Sequence, residues 1–192
     1  MTKWIVGLVL SLLLLAAPAA AQTFPPLTGR VVDQADLLRP EQELDLTSKL
    51  AALEAQTGRQ FVVATVRSLE GRTIEDYGYR LGRAWAIGDK ERDDGVILLV
   101  APKERKVRVE TGYGARVFLT DAASSIIIRE DILPRFKAGD MAGGIMAGAE
   151  RVIATLQLPP EEAARRAEEI GKSARRAEVD VNPVLVFMIV II

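Results

Sequence analysis

Three aspartates and a glycine-flanked tyrosine are the residues of this chain whose types and spacing could support chemistry. The run 95–101 (GVILLVA) reads as a strand and 106–110 (KVRVE) as its hairpin partner, joined by PKER. Antiparallel pairing brings the start of the first beside the end of the second, so Asp93 and Asp94 approach Glu110 and the turn Gly112-Tyr113-Gly114. Asp121 follows seven residues after Gly114, at a helix start where free N–H groups also favour anions. Carboxylates without a soft ligand nearby point to a hard cation, Ca2+ or Mg2+, bound weakly, on the order of 10⁻⁴ to 10⁻³ M. Asp93, Asp94 and Asp121 are the metal candidates, with Gly112, Tyr113, Gly114 and Asp33 as ligand-binding candidates. Asp33 meets the others only if its strand runs antiparallel to its neighbour, and a parallel strand puts it at the opposite end of the sheet. Each residue also has a plainer reading: Asp93-Asp94-Gly95 as a turn, Asp121 as a helix cap, Tyr113 and Trp85 as packed aromatics.

Composition limits what such a site can do. The 192 residues include no histidine and no cysteine, which removes imidazole acid–base chemistry, thiolate nucleophiles, disulfides and zinc sites. Lysine plus arginine (25) nearly balance aspartate plus glutamate (26), so no bulk basic field favours nucleic acid. The GYGARV run at 112–117 holds valine where a dinucleotide fingerprint has its third glycine, which argues against a nucleotide cofactor. With 49% hydrophobic and 27% charged residues the chain can bury one core, and its length suits one domain with short appendages.

The elements that must position these residues alternate between the two periods. Residues 29–33 (GRVVD) and 60–66 (QFVVATV) read as strands, the second apolar enough to be covered on both faces. Pro40 opens a helix carrying Leu46, Leu50 and Leu53, and Gly58 closes it. Thr73 with Asp76 marks the start of a second helix with Ile74, Tyr77, Leu81 and Trp85 on one stripe. Thr120 and Asp121 cap a helix through Arg129, Asp131 and Gly139 bracket a short turn around Pro134, and Asp140 caps a last helix with Met141, Ile145, Ala149, Val152 and Leu156 inward. These elements make one α/β domain over 29–158.

The flanks read as membrane-directed. Lys3, the apolar run 4–17 and Ala19-Ala20-Ala21 describe a signal peptide over 1–21, followed by an extended leader over 22–28 with Pro25-Pro26. After Pro159-Pro160, residues 159–181 read as a charged helical stalk with a narrow alanine stripe. Residues 184–192 (VLVFMIVII) are wholly apolar and would extend about 14 Å as a helix, about half a bilayer core, so they are expected to begin a longer transmembrane helix. The domain is therefore expected outside the cytoplasm, in the cell envelope, tethered at its C-terminus.

The stretches GRVVDQADLL, TGRQFVVATVRSLEGRTIEDYG, WAIGDKERDDGVILLVAPKERKVRVETGYG, LTD and FKAGD, in this order over about residues 29–157, resemble the TPM domain family. That family takes its name from a thylakoid-lumen protein, a photosystem II repair protein and an auxiliary protein of nematode acetylcholine receptors. The resemblance implies a three-layer α/β/α sandwich around a short mixed sheet of about four strands, and divalent-cation binding at Asp93, Asp94 and Asp121. It also implies two function classes. One is a membrane-anchored module that docks to or maintains membrane protein complexes; the other is a metal-dependent acid phosphatase, for which Arg116 and Arg129 are the nearest cations. Many members read Gly-Tyr-Gly-Leu-Glu-Gly where this chain has Gly112 to Val117, so a glutamate and a glycine of that turn are absent.

Overall fold

Strand runs without interior polar residues need cover on both faces, and the fold supplies it with helices above and below one sheet. The computed structural model describes residues 24–179; the expected signal peptide and the apolar run 184–192 lie outside the described residues. Strands β1 (Val31–Asp33), β2 (Phe61–Thr65), β3 (Val96–Ala101) and β4 (Lys106–Thr111) lie side by side in chain order. The first three are parallel, and β4 returns antiparallel to β3 in the expected hairpin. Every residue of β2 and β3 is buried, whereas β4 is mostly half-buried, with Val109 in the core and Lys106 exposed.

One face of the sheet carries helices α1 (Pro40–Thr57), α3 (Asp121–Ile127), α4 (Leu133–Lys137), α5 (Met141–Leu156) and α6 (Pro160–Val179). Leu46, Leu50, Leu53, Leu98, Ile145 and Val152 are fully buried there. The other face has α2 (Ile74–Trp85), which packs Ile74, Tyr77 and Leu81 on Ile97 and Leu99. This is the α/β/α sandwich around a mixed sheet that the family resemblance implied. Its helix signals also hold: Gly58 ends α1 at φ 69°, the Thr73 hydroxyl accepts from the Asp76 N–H at 3.2 Å, and the Asp140 carboxylate accepts from the Gly143 N–H at 2.8 Å.

Three boundaries differ from the sequence reading. The chain from Asp121 stays helical past Arg129 through a π-helical turn at Ile128–Ile132 into α4, with no break at Pro134. The Leu133 N–H bonds the Ile128 carbonyl, and this longer step lets Pro134, which has no N–H, enter at the first turn of α4. α5 admits the wide turn through glycine: a Cβ at Gly148 would lie 2.5 Å from Ile132, and one at Gly144 would lie 2.6 Å from Phe136. At the other end, the leader belongs to the fold. Phe24 meets Tyr77 edge-on with ring centroids 5.3 Å apart, and the Trp85 indole N–H donates to the Pro25 carbonyl at 2.8 Å.

The charged helix, expected as a stalk, packs its first turns on the domain. Ala163, only 1% exposed, joins the core, and Ala167 and Ile170 face Phe118 and Ile127 across a small cleft. The first turns of α6 therefore close the domain rather than stand off it, because alanines allow the close approach that a bulkier stripe would block. Among the described residues no helix is long and apolar enough to cross a membrane.

Candidate functional site

The site is built where two backbone segments interlock at the N-terminal end of β3. The Gly112 N–H donates to the Gly95 carbonyl at 2.8 Å, the Gly114 N–H to the Asp93 carbonyl at 2.9 Å, and the Tyr113 N–H to the Asp93 carboxylate at 2.9 Å. Glycine is required because backbone meets backbone. A Cβ at Gly112 would lie 2.2 Å from the Asp93 carbonyl oxygen, and one at Gly114 would lie 2.0 Å from that of Arg92. Gly112 and Gly114 are thus the geometry of the turn. What they hold out is Tyr113, anchored at its own N–H and at both neighbours and 79% exposed. It is not the packed aromatic of the plainer sequence reading.

The aspartates separate. Asp93 lies on the turn with φ 48° and faces the cleft beside Tyr113. Asp94 is only 5% exposed, and its carboxylate accepts from Arg92 Nε at 2.7 Å and from the Asp89 N–H at 3.1 Å. Arg92 in turn donates to the Gly58 carbonyl at 3.2 Å, so Asp94 ties the loop to the end of α1. Asp121 is the exposed first residue of α3, away from the cleft, and Thr120 does the capping by accepting from the Ala123 N–H at 3.2 Å. Arg129 lies in the π-helical turn, paired with Glu130 at 3.1 Å and off the cleft, whereas Arg116 lines it. Among the described residues no three carboxylates are close enough to hold an ion, and Asp94 is already committed to a cation. As placed, Asp93, Asp94 and Asp121 do not converge on one position for a Ca2+ or Mg2+ ion.

Parallel β1 sends Asp33 to the far end of the sheet, opposite Asp94. There its carboxylate accepts from the Leu38 N–H at 2.7 Å and from the Thr65 hydroxyl, which itself accepts from the Ala35 N–H at 2.9 Å. Asp33 pins the β1–α1 turn. Burial first, then the Asp33 and Asp36 charges, push the Glu43 carboxyl above the usual range. Its folded pKa exceeds the unfolded one, so ionised Glu43 opposes folding at neutral pH and this opposition fades as pH falls through the folded pKa. Glu43→Gln is expected to raise the melting temperature at pH 7 and to lose that advantage towards about pH 4; melting curves across pH check it, and a lower melting temperature at pH 7 would refute it.

Between α2 and the interlocked loops runs a cleft of about 610 Å³. Its floor is Ile97 and Glu110, and α2 approaches closely because Gly78 and Gly82 leave room: a Cβ would lie 3.4 Å from Glu110 at the first and 3.5 Å from Ile97 at the second. Tyr79, 55% exposed, stands on the α2 wall with the Arg83 guanidinium 5.7 Å from its ring centre. Arg83, Lys90 and Arg116 line the cleft without an ion-pair partner among the described residues, whereas Glu110 is held by Arg108 at 2.6 Å. Sequence reasoning missed Tyr79, Arg83 and Lys90. The signal for Tyr79 was present, since it falls off the buried stripe Ile74, Tyr77, Leu81 and so is an aromatic on the wet side of its helix.

A family model described as the TPM domain matches residues 31–155. The solution NMR structure of the N-terminal domain of a protein from P. gingivalis is 33% identical, covering 67% of this chain and 82% of its own, with a TM-score of 0.63. The N-terminal domain of the cg2496 protein from Corynebacterium glutamicum is 17% identical, covering 74% and 91%, with a TM-score of 0.53. The BA42 protein from Bizionia argentinensis is 18% identical, covering 66% and 94%, with a TM-score of 0.51. These last two show the fold alone. No curated protein matches the chain.

Proposed function

The chain belongs to the TPM domain family, and from that premise we propose that it is an exported, membrane-tethered docking module whose Tyr113 cleft binds a membrane protein partner and helps maintain its complexes. The observation that carries this reading is Tyr113. A large aromatic left 79% exposed adds little to the stability of the fold, yet two glycines, two backbone–backbone hydrogen bonds and one from the Tyr113 N–H to the Asp93 carboxylate hold the turn beneath it in one position. Rigid aromatics with a polar tip are the residues that dominate protein contacts. Tyr79 and Val117, 55% and 49% exposed, lie on the cleft wall and just beyond Arg116, so exposed apolar surface gathers at this end. Export and tethering rest on Lys3, the apolar run 4–17, Ala19-Ala20-Ala21 and the apolar run 184–192. The docking reading asks nothing of a metal: the Asp94 carboxylate is taken up by Arg92, and Asp121 stands on a helix start away from the cleft.

Tyr113→Ser and Tyr79→Ser should leave the unfolding free energy within about 0.5 kcal/mol of the parent, as surface changes do. The same variants should lose a partner that co-purifies with the parent from solubilised membranes. Hydrolysis of a phosphomonoester at about 1 s⁻¹ or faster, abolished by changing Asp93 or Arg116, would replace the docking reading with the phosphatase one.

A further inference from the structure

Among the described residues β4 ends the sheet, and no strand pairs with its outer edge. The bond from the Gly112 N–H to the Gly95 carbonyl sets the alternation. Lys106, Arg108 and Glu110 turn their backbone groups to β3, and Val107, Val109 and Thr111 turn theirs outward. This edge runs about 17 Å, at ~3.4 Å per residue, with Val107 and Thr111 half-buried and Val109 only 6% exposed, and leads directly to Tyr113. Cations flank both ends. Lys103, Arg105 and Lys106 stand at the hairpin tip and Lys90 and Arg116 at the cleft, none with an ion-pair partner among the described residues. Of the carboxylates beside them, Glu104 accepts from the Ser68 hydroxyl and the Leu69 N–H, Glu110 from Arg108, and Asp93 from the Tyr113 N–H. A hydrogen bond from its own backbone holds the Glu75 carboxyl below the usual range, and Glu75 lies near enough to Arg108 and Lys106 for their charges to help.

We propose that β4 receives a fifth strand, an extended acidic segment of the partner protein, paired to Val107, Val109 and Thr111 and running from the hairpin tip to the Tyr113 cleft. The proposal rests on the docking reading and names the chemistry of what docks. Outward N–H and C=O groups on a strand edge are completed by another extended backbone, which a lipid surface cannot provide. Unpaired lysines and arginines at both ends select acidic side chains on that backbone and disfavour basic ones.

The test uses the full chain in detergent and a dye-labelled, acetylated eight-residue peptide of alternating threonine and glutamate. The acidic peptide is expected to bind at least tenfold more tightly than its threonine–lysine counterpart, and Lys106→Glu and Arg116→Glu are each expected to weaken it at least tenfold. Amide exchange followed by NMR should slow at Val107, Val109 and Thr111. N-methylation of the peptide at the alternate positions facing β4 should abolish binding, whereas methylation at the intervening positions should not. Equal binding of the lysine peptide, no binding of the acidic one, or protection confined to residues 113–116 would overturn the proposal. So would binding to phosphatidylglycerol vesicles with the edge amides still exchanging freely, which would assign the cations to lipid. If a partner cross-links from position 113 while the acidic peptide fails, the docking reading survives and the acidic strand does not.

Discussion

Gly114→Ala is expected to destabilise the protein by about 3 kcal/mol, the upper part of the range for forcing atoms into a filled space. The added methyl would lie 2.0 Å from the Arg92 carbonyl oxygen, and that oxygen belongs to a backbone held on its other side by the Asp93–Gly114 hydrogen bond. Neither segment can yield without breaking the interlock, so the turn should leave its position and take Tyr113 with it. Gly29→Ala is the matched control, because its nearest contact is an ordinary 3.9 Å. Urea unfolding of the two variants measures the difference. A loss at Gly114 no larger than at Gly29 would mean that the turn is not held as described.

Asp94→Ala has the next largest expected effect, about 2 kcal/mol, because it strands the Asp89 N–H and releases Arg92 from its main anchor. Most of the guanidinium side chain is exposed at 57%, so water can serve it and the loss should stay below that of a fully buried ion pair. The scaffold role makes a further distinction. The loss should be the same in calcium and in chelator, since Asp94 stabilises the loop through Arg92 and not through an ion. A loss seen only when calcium is present would restore Asp94 to metal duty.

How far the sequence reached can be followed through particular residues. The hairpin register placed Asp93 beside Gly112-Tyr113-Gly114 correctly, because strict alternation in 106–110 and a four-residue connection leave one pairing that keeps Val109 inside. The direction of β1 could not be read in the same way: three residues with one buried side chain suit either neighbour orientation, and Asp33 followed the crossover helix to the far end. Tyr113 was open for a related reason. Exposure depends on what packs above a turn, and nothing local in Gly-Tyr-Gly tells a presented ring from a covered one. Asp94 and Asp121 look alike on the page of residues, yet one is sealed under Arg92 and the other stands free on a helix start. Pro134 suggested a break because an ordinary helix cannot absorb it, and a single π-helical turn removed that conflict. The alanine stripe of α6 carried too little hydrophobic signal to announce a buried face, although Ala163 is among the most buried residues of the helix.

The central claim is that Tyr113 is a contact made with a partner at the membrane. A photo-reactive phenylalanine analogue placed at position 113, with a second chain carrying it at Leu44 as the control, tests this most directly. Leu44 is 72% exposed on α1, in the layer on the opposite face of the sheet from α2, so it reports chance encounters at similar accessibility. Irradiation of intact membranes from cells making each chain is expected to give one discrete adduct from position 113 and none from position 44. No adduct from 113, or the same adduct from both positions, would contradict the account.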